Sequence, residues 1–176
     1  NGQTKEFADK LWDLFEPFQG YGFNKAHAAS YGKVAYQTAY MKANYPIEHM
    51  AAVLTSDSGQ VDKIAETIAE CERMDIPVLP PDVNESMGDF AISEYENKDT
   101  IRFGLYSIKN FGEGISDAII AERESNGKFE SIADFLDRIQ DRNLNRKSIE
   151  ALIKAGAFDN LGDRSALLHN IDTLLS

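Results

Sequence analysis

The chain has 176 residues, of which 43% are hydrophobic and 27% charged, and its formal net charge is −11. This composition is ordinary for a folded globular protein, and the length suffices for one medium domain or two small ones. No apolar run approaches the roughly 18 residues that a membrane-spanning helix needs, so we expect no membrane association. The first residue is Asn1 rather than Met, which suggests a segment of a longer protein.

The negative charge is concentrated in the middle of the chain. Residues 61–100 hold 3 Lys/Arg and 11 Asp/Glu, whereas residues 1–60 hold 5 and 6, and residues 101–176 hold 10 and 12. An evenly acidic surface would disfavour nucleic acid, but here both flanks are nearly neutral and either can carry a local basic face. We interpret the acidic middle as a solvated surface, with a scaffold for protein partners as the alternative.

Cys71 is the one cysteine of the chain, which excludes an internal disulfide. A cytoplasmic, reducing compartment fits this cysteine usage. Cys71 falls in a predicted helix, where we expect it to be buried. The sequence shows no His, Cys and Asp set at metal-ligand spacing and no nucleophile–base pair, so we predict neither a metal site nor a catalytic residue.

Helical periodicity dominates the first 75 residues. Apolar residues recur at helical spacing over residues 4–16, and Pro17, followed by Gly20 and Gly22, is predicted to close this helix. A longer helix is predicted from Lys25 to about Asn44, with Asn24 as its N-cap and Pro46 just beyond its end. Two further helices are expected over residues 47–54 and 60–74.

The helical sequence pattern ends after residue 75. Three prolines within residues 76–84 forbid a helix interior, and residues 90–95 and 100–104 with a polar turn at 97–99 predict a β-hairpin. From residue 105 onward short helices alternate with tight turns. We therefore predict a mainly α fold: a helical portion over 1–75, an extended or β-hairpin connector over 76–104, and a domain of helical hairpins over 105–176.

Two glycines flank Glu113 between predicted helices. Such glycines permit backbone angles that a Cβ would obstruct, and the N–H groups that open the next helix suit a phosphate oxygen. The pattern resembles the helix-hairpin-helix motif, which binds the DNA backbone without reading sequence. A helix end and turn with no ligand remains the alternative. The DNA contacts predicted here are Lys109, Asn110, Gly112 and Gly114.

A second, less regular hairpin follows. It consists of a predicted helix over residues 132–139, a turn over 140–145 and a helix over 146–155. Arg142, Arg146 and Lys147 cluster around the turn, so we predict them as DNA contacts, with a solvated surface as the alternative. Gly156 is the expected C-cap of the last helix, with Phe158 folding back onto it.

The start of the Lys25–Asn44 helix is a candidate nucleotide site. Asn24, Lys25 and His27, with the unpaired N–H groups of the first turn, would suit a triphosphate. Tyr31 follows His27 by four residues on the same face, where a base or sugar would approach. The alternative is an exposed lysine with His27 packed against Tyr31.

Six segments of the chain resemble, in the same order, bacterial DNA polymerase III alpha subunits, the C-family replicative DNA polymerases. The resemblance covers essentially the whole chain. The segments are Tyr21–Tyr31, Tyr36–Pro46, Met50–Asp57, Val78–Ser86, Ile108–Gly114 and Leu152–Asp159.

The resemblance implies the late fingers of a DNA-directed DNA polymerase, followed by a tandem helix-hairpin-helix domain. It implies that Tyr21–Tyr31 faces the incoming dNTP, that the primer–template duplex lies against Gly112 and Gly114, and that other holoenzyme subunits are partners. Mg²⁺ would be held by palm aspartates of the whole polymerase. No Asp-x-Asp palm motif is present here, so we expect no cofactor in this segment and no polymerisation by it alone. Asp82 and Asp89 are interpreted as structural.

The main rival hypothesis is a stand-alone, non-sequence-specific DNA-binding module built from helix-hairpin-helix motifs. Residues 21–45 discriminate between the two, because a module that only binds DNA has no use for the Tyr21–Tyr31 segment.

Overall fold

The computed structural model describes residues 2, 4–21 and 25–175, with the backbone alone for residues 16–21 and 25. It divides into two compact units, residues 1–44 and 45–176. The mainly α prediction with a small β insert is confirmed. No helix of the described residues is long and apolar enough to cross a membrane.

The first unit consists of α1 (Lys5–Tyr21) and α2 (Lys25–Asn44). The bounds of α2 are the predicted ones. The helix α1 extends past Pro17, because the loss of one N–H donor does not by itself end a helix. It ends at Tyr21, directly before Gly22, which was also predicted to close it. None of the described side chains in this unit is buried.

The second unit begins with two helices packed on a small sheet. These are α3 (Pro46–Ser56) and α4 (Val61–Arg73), where Ile64, Ile68 and Cys71 share one face at i, i+4 and i+7. That face enters a core whose buried members are Met50, Ala51, Leu54, Ile64, Cys71, Ile76, Phe90 and Ile101. The expected burial of Cys71 is confirmed.

The sheet has the strand order β1-β3-β2, so the last strand in sequence is the central one. It is formed by β1 (Val78–Leu79), β2 (Ala91–Tyr95) and β3 (Lys98–Arg102). The predicted hairpin is present, but its turn is shorter than predicted: Tyr95 pairs with Lys98, and Glu96 and Asn97 turn the chain with φ of 51° and 60°. Positive φ at both turn residues matches the right-handed twist of the strands.

The remaining helices surround a second core. They are α5 (Glu113–Asn126), α6 (Ile132–Arg138), α7 (Arg146–Ala155), α8 (Arg164–His169) and α9 (Ile171–Leu174), preceded by a 3₁₀ helix at Leu105–Ser107. Phe135 is fully buried and makes edge-to-face contacts with Phe129 and Phe158, with ring centroids 5.0 and 4.9 Å apart. As predicted, Gly156 ends α7 in a left-handed conformation (φ 88°) and Phe158 is buried.

The segment after β1 is attached to this helical core. The N–H of Val83 donates to the carbonyl of Ala157 at 3.0 Å. The Asp82 carboxylate is 5% exposed and accepts from the backbone N–H of Asn84 and the side-chain amide of Asn160, each at 2.6 Å. These contacts agree with the structural interpretation of Asp82.

Candidate nucleic-acid interface

The first hairpin joins the 3₁₀ helix to α5. At its tip Asn110 takes a left-handed backbone conformation with φ of 65°, which Asn tolerates better than most residues. Ile108 and Phe111 flank the tip and are each 7% exposed, and Ile115 one turn later is 2% exposed. Apolar anchors on both sides therefore hold the turn, while its glycines remain at the surface.

Gly112 and Gly114 are exposed to solvent, but their backbone angles are not the ones predicted to require glycine. Gly112 has an extended backbone (φ −89°, ψ 153°) that any residue adopts, and Gly114 has no positive φ. The prediction that both supply angles obstructed by a Cβ was therefore wrong. A Cβ at either position would meet no other part of the chain within 4 Å. The absent side chains leave bare backbone that an outside group can approach closely.

The N-terminus of α5 has no side-chain cap. Gly112 is its N-cap residue, and the described residues provide no side-chain cap hydrogen bond to its first turn. The first N–H groups of a helix have no partner within the helix and carry partial positive charge. The Gly112 carbonyl accepts from both the N–H and the hydroxyl of buried Ser116, at 3.2 and 3.0 Å. The turn is therefore ordered although its amide donors have no side-chain partner.

A side-chain hydrogen bond also connects the 3₁₀ helix of the first hairpin to α5. The Tyr106 hydroxyl donates to the Asp117 carboxylate in the second turn of α5. This hydrogen bond, more than partial burial, raises the pKa of Tyr106 to about 12. The Tyr106 ring also lies against Gly88, where a Cβ would come within 2.4 Å of it.

The second hairpin differs from the first at the corresponding helix end. Asn145 caps α7, because its side-chain oxygen accepts from the N–H groups of Lys147 and Ser148 at 2.9 and 3.2 Å. The Ser148 hydroxyl in turn accepts from the N–H of Asn145 at 2.8 Å. This reciprocal capping box gives the first amides of α7 partners within the chain. The corresponding amides of α5 have no side-chain cap.

The two hairpin turns line one cleft of about 360 Å³. It therefore combines the uncapped start of one helix with the capped start of another, and Lys147 is the one cation among its described lining residues. No acidic residue is among the described residues that line it, although the chain carries a net charge of −11. The lining residues are Asn110, Gly112, Gly114, Ile115, Asn143, Asn145, Lys147 and Ser148.

The structure brings together four of the seven predicted DNA contacts in this cleft: Asn110, Gly112, Gly114 and Lys147. The remaining three lie elsewhere. Lys109 lines a larger adjoining cavity, and Arg142 lines a separate cleft beside Leu174. Arg146 forms an ion pair with Asp172 of α9.

Besides the apolar Ile115, three polar lining residues are absent from the predicted DNA contacts: Asn143, Asn145 and Ser148. For two of them a signal exists, because Asn145 and Ser148 have the spacing of a capping box at a helix start. Asn143 has no such signal, since its place in the cleft depends on how the second hairpin packs beside the first.

Two of the four side chains predicted to bind a nucleotide are described. The rings of His27 and Tyr31 have centroids 4.3 Å apart and planes tilted by 49°, and Tyr31 is 66% exposed. Asn24 lies outside the described residues, as does the side chain of Lys25. The ring contact is the one expected from the alternative interpretation, and the nucleotide role of all four residues stays a prediction.

Among the described residues, no three His, Cys, Asp or Glu side chains come together to hold a metal ion. The described part of the chain therefore offers no donor set that fits the Mg²⁺ implied by the resemblance.

Comparison with known proteins relates this geometry to a family. The family model described as "Helix-hairpin-helix motif" matches residues 75–167, which include both hairpins. DNA polymerase III subunit alpha from Deinococcus radiodurans is 46% identical over 174 residues, and that from Thermus aquaticus 48% over 174 residues, each covering 99% of this chain. The Saccharopolyspora erythraea subunit is 50% identical over 161 residues, or 92% of the chain.

The chain spans only 13–14% of the length of these three relatives. Within that span, the matches that cover 99% of the chain include α1 and α2 as well as the two hairpins. The resemblance to bacterial DNA polymerase III alpha subunits is therefore confirmed over almost the whole chain. The chain belongs to the helix-hairpin-helix family and is a segment of the kind found in bacterial DNA polymerase III alpha subunits.

Proposed function

We propose that this chain binds the sugar–phosphate backbone of duplex DNA, without reading its sequence, as part of a DNA polymerase. The observation that carries the proposal is the uncapped start of α5 beside two glycines that expose bare backbone. N–H groups at a helix N-terminus bind phosphate oxygens well. Phosphate contacts position a protein on DNA but carry no sequence information.

The two hairpins contribute different donors to this binding. In α5 the backbone amides of the first turn bind phosphate directly. In α7 the capping box occupies the corresponding amides, so the second hairpin contributes the Lys147 ammonium and the Asn143 amide side chain instead. A cleft with one lysine and two sets of neutral donors binds weakly on its own, and its affinity falls as salt concentration rises.

Gly114→Val tests the backbone contact. A Cβ at residue 114 meets no other part of the chain within 4 Å, so we expect the valine to leave the fold intact but to prevent close approach of a phosphate. We expect the affinity for two duplexes of unrelated sequence to fall equally, by about tenfold, the equivalent of one charge-assisted hydrogen bond of about 1.4 kcal/mol. Fluorescence anisotropy at low salt measures both affinities, and circular dichroism verifies the fold.

Ala121→Val is the matched control, because Ala121 is exposed on the same helix, two turns from the cleft. It should leave both affinities unchanged. An unchanged affinity in folded Gly114→Val protein would show that the first hairpin is only a turn.

We also propose that residues 21–31 contact the incoming dNTP in the polymerase that contains this chain. The support is the resemblance of Tyr21–Tyr31 and the alignment of relatives across α1 and α2. Asn24, Lys25, His27 and Tyr31 carry this role. The same alignment favours a polymerase segment over a stand-alone DNA-binding module, which would not require residues 1–44.

Lys25→Ala in the full-length polymerase tests the nucleotide role. Loss of a charge-assisted contact to the triphosphate should lower kcat/KM for the dNTP by about tenfold or more. Lys33→Ala, eight residues later on α2 and exposed, is the control that should leave kcat/KM unchanged. Equal kinetics of the Lys25→Ala and wild-type enzymes would rule out the phosphate contact.

Template-directed nucleotidyl transfer, its Mg²⁺ ions and the contacts with other holoenzyme subunits are proposed for the polymerase as a whole, acting in the cytoplasm. We propose that the isolated chain is inactive in nucleotide incorporation.

A further inference from the structure

A larger cavity of about 720 Å³ adjoins the cleft and has an apolar floor. Pro80, Phe103 and Ala151 contribute to this floor. Two contacts hold it in place: the Phe103 ring lies 4.4 Å from the Phe90 ring, and the Arg102 guanidinium donates to the Pro80 carbonyl at 3.1 Å. The floor is therefore a preformed surface on which a flat apolar group can lie.

The rim of the cavity is positively charged. Lys109, Lys147 and Lys154 line it and are exposed. Glu150 is the one acidic residue among the described lining residues, and its carboxylate is paired with Lys154 at 2.9 Å. In a chain with a net charge of −11, this local excess of lysine indicates an anionic occupant.

The cavity shares two lining residues with the cleft between the two hairpins. Asn110 and Lys147 line both. A ligand whose phosphates occupy the cleft can therefore extend into the cavity without leaving the protein surface. This shared lining favours a nucleic-acid strand over a separate acidic peptide, which would need no connection to the cleft.

We propose that the cavity holds an unpaired nucleotide of the DNA whose duplex backbone occupies the cleft. The base lies on the floor formed by Pro80 and Phe103, and Lys109 and Lys147 bind its phosphates. This inference rests on the proposed duplex binding. Base stacking on an aromatic side chain tolerates any sequence, since every base has a π face. The cavity therefore distinguishes unpaired from paired DNA and does not distinguish one base sequence from another.

The test measures the affinity of the 176-residue chain for three probes by fluorescence anisotropy: a blunt duplex, the same duplex with a few unpaired thymidines, and the same extension made of abasic sugar–phosphate units. The abasic probe has the same additional phosphates without the bases. We expect the thymidine probe to bind at least about fivefold more tightly than the abasic probe, as base stacking on protein predicts.

Ala151→Trp fills the cavity and should abolish the difference between the thymidine and abasic probes. Since this variant can fail to fold, Lys154→Gln provides a second test on an exposed side chain: because its charge acts on the additional phosphates, we expect it to reduce the difference in affinity between the abasic probe and the blunt duplex about twofold. Lys63→Gln removes the same charge from an exposed lysine of α4 and should leave the difference unchanged.

Equal affinities for the thymidine and abasic probes would overturn the cavity proposal while leaving the duplex proposal intact. A difference that persists in folded Ala151→Trp protein would also overturn it, because the bases would then bind elsewhere. Tighter binding of an acidic peptide with one central leucine, lost in Ala151→Trp, would assign the cavity to a protein partner instead. Failure to bind any of the three DNA probes would contradict both proposals.

Discussion

Single polar side chains hold loops to the helical core of the second unit through backbone groups. Asn84 donates to the carbonyl of Phe129 at 2.9 Å and accepts from its N–H at 2.7 Å. Arg138 donates to the carbonyls of Lys128 and Gly127 at 3.2 and 2.7 Å and lies 4.4 Å above the Phe129 ring. Together they order the loop between α5 and α6, which connects the two hairpins.

Arg138 also makes the stability of the fold around this loop depend on pH in a predictable direction. Its hydrogen bond is the main cause that lowers the pKa of Glu122. For Asp134 the hydrogen bond from the Glu130 N–H contributes most to the lowered pKa, and Arg138 adds to it. A carboxyl group with a lowered pKa contributes stability above its unfolded-state pKa of about 4, and this contribution is lost as pH falls through the folded-state pKa.

We therefore expect Arg138→Met, which keeps the aliphatic bulk, to lower the Tm at neutral pH. The difference in Tm from wild type should shrink as the pH is lowered below about 4, where both carboxyls become protonated. Thermal unfolding followed by circular dichroism across this range measures it. A Tm difference that stays constant down to about pH 3 would contradict the ion-pair role and indicate loss of packing alone.

At the scale of elements, the two hairpins begin their second helices in opposite ways. The capping box of α7 stabilises the helix but occupies N–H donors of its first turn. By contrast, α5 begins at a glycine with no side-chain cap. A side-chain cap at Gly112 is sterically possible, because its extended backbone suits any residue and a Cβ there meets no atom of the chain within 4 Å. The absence of a cap is thus not imposed by the fold.

Gly112→Ser should separate stability from binding. The serine hydroxyl would accept from first-turn N–H groups, so we expect the free energy of unfolding to stay equal or to rise by a few tenths of a kcal/mol. The same hydroxyl competes with phosphate, so the duplex affinity should fall several-fold. Urea unfolding and anisotropy measure the two effects on one protein sample.

Asn145→Ala provides the complementary change at α7 and should cost about 1 kcal/mol of unfolding free energy. If Gly112→Ser instead raised both stability and duplex affinity, the amides of α5 would not be the phosphate donors.

Local patterns predicted most elements but only half of the residues that line the cleft. The bounds of α2 and the end of α7 at Gly156 follow from periodicity and caps, which depend on neighbouring residues only. Arg142, Arg146 and Lys147 lie within six residues of one another, yet Arg142 and Lys147 line different clefts and Arg146 pairs with Asp172. That separation depends on how α7 packs beside α5 and α9, and no local pattern encodes it.

At the scale of the whole molecule, charge is distributed unevenly. The chain is acidic overall, but no acidic residue is found among the described residues lining the cleft, and the lysines on the rim of the adjoining cavity outnumber its one glutamate. Net charge alone therefore misrepresents this surface. A small region of bare amides and lysines within an acidic molecule favours binding that is weak, local and dependent on the rest of a larger polymerase.

The central claim is that the uncapped amides of α5 bind DNA phosphates, and ¹⁵N–¹H spectra of the 19.6 kDa chain during titration with a blunt duplex test it most directly. We expect the largest chemical-shift changes at the amides of residues 113–115, with little change at the capped amides of Lys147 and Ser148. The pattern should be the same for duplexes of unrelated sequence. Saturable duplex binding that leaves residues 113–115 unshifted would contradict the account.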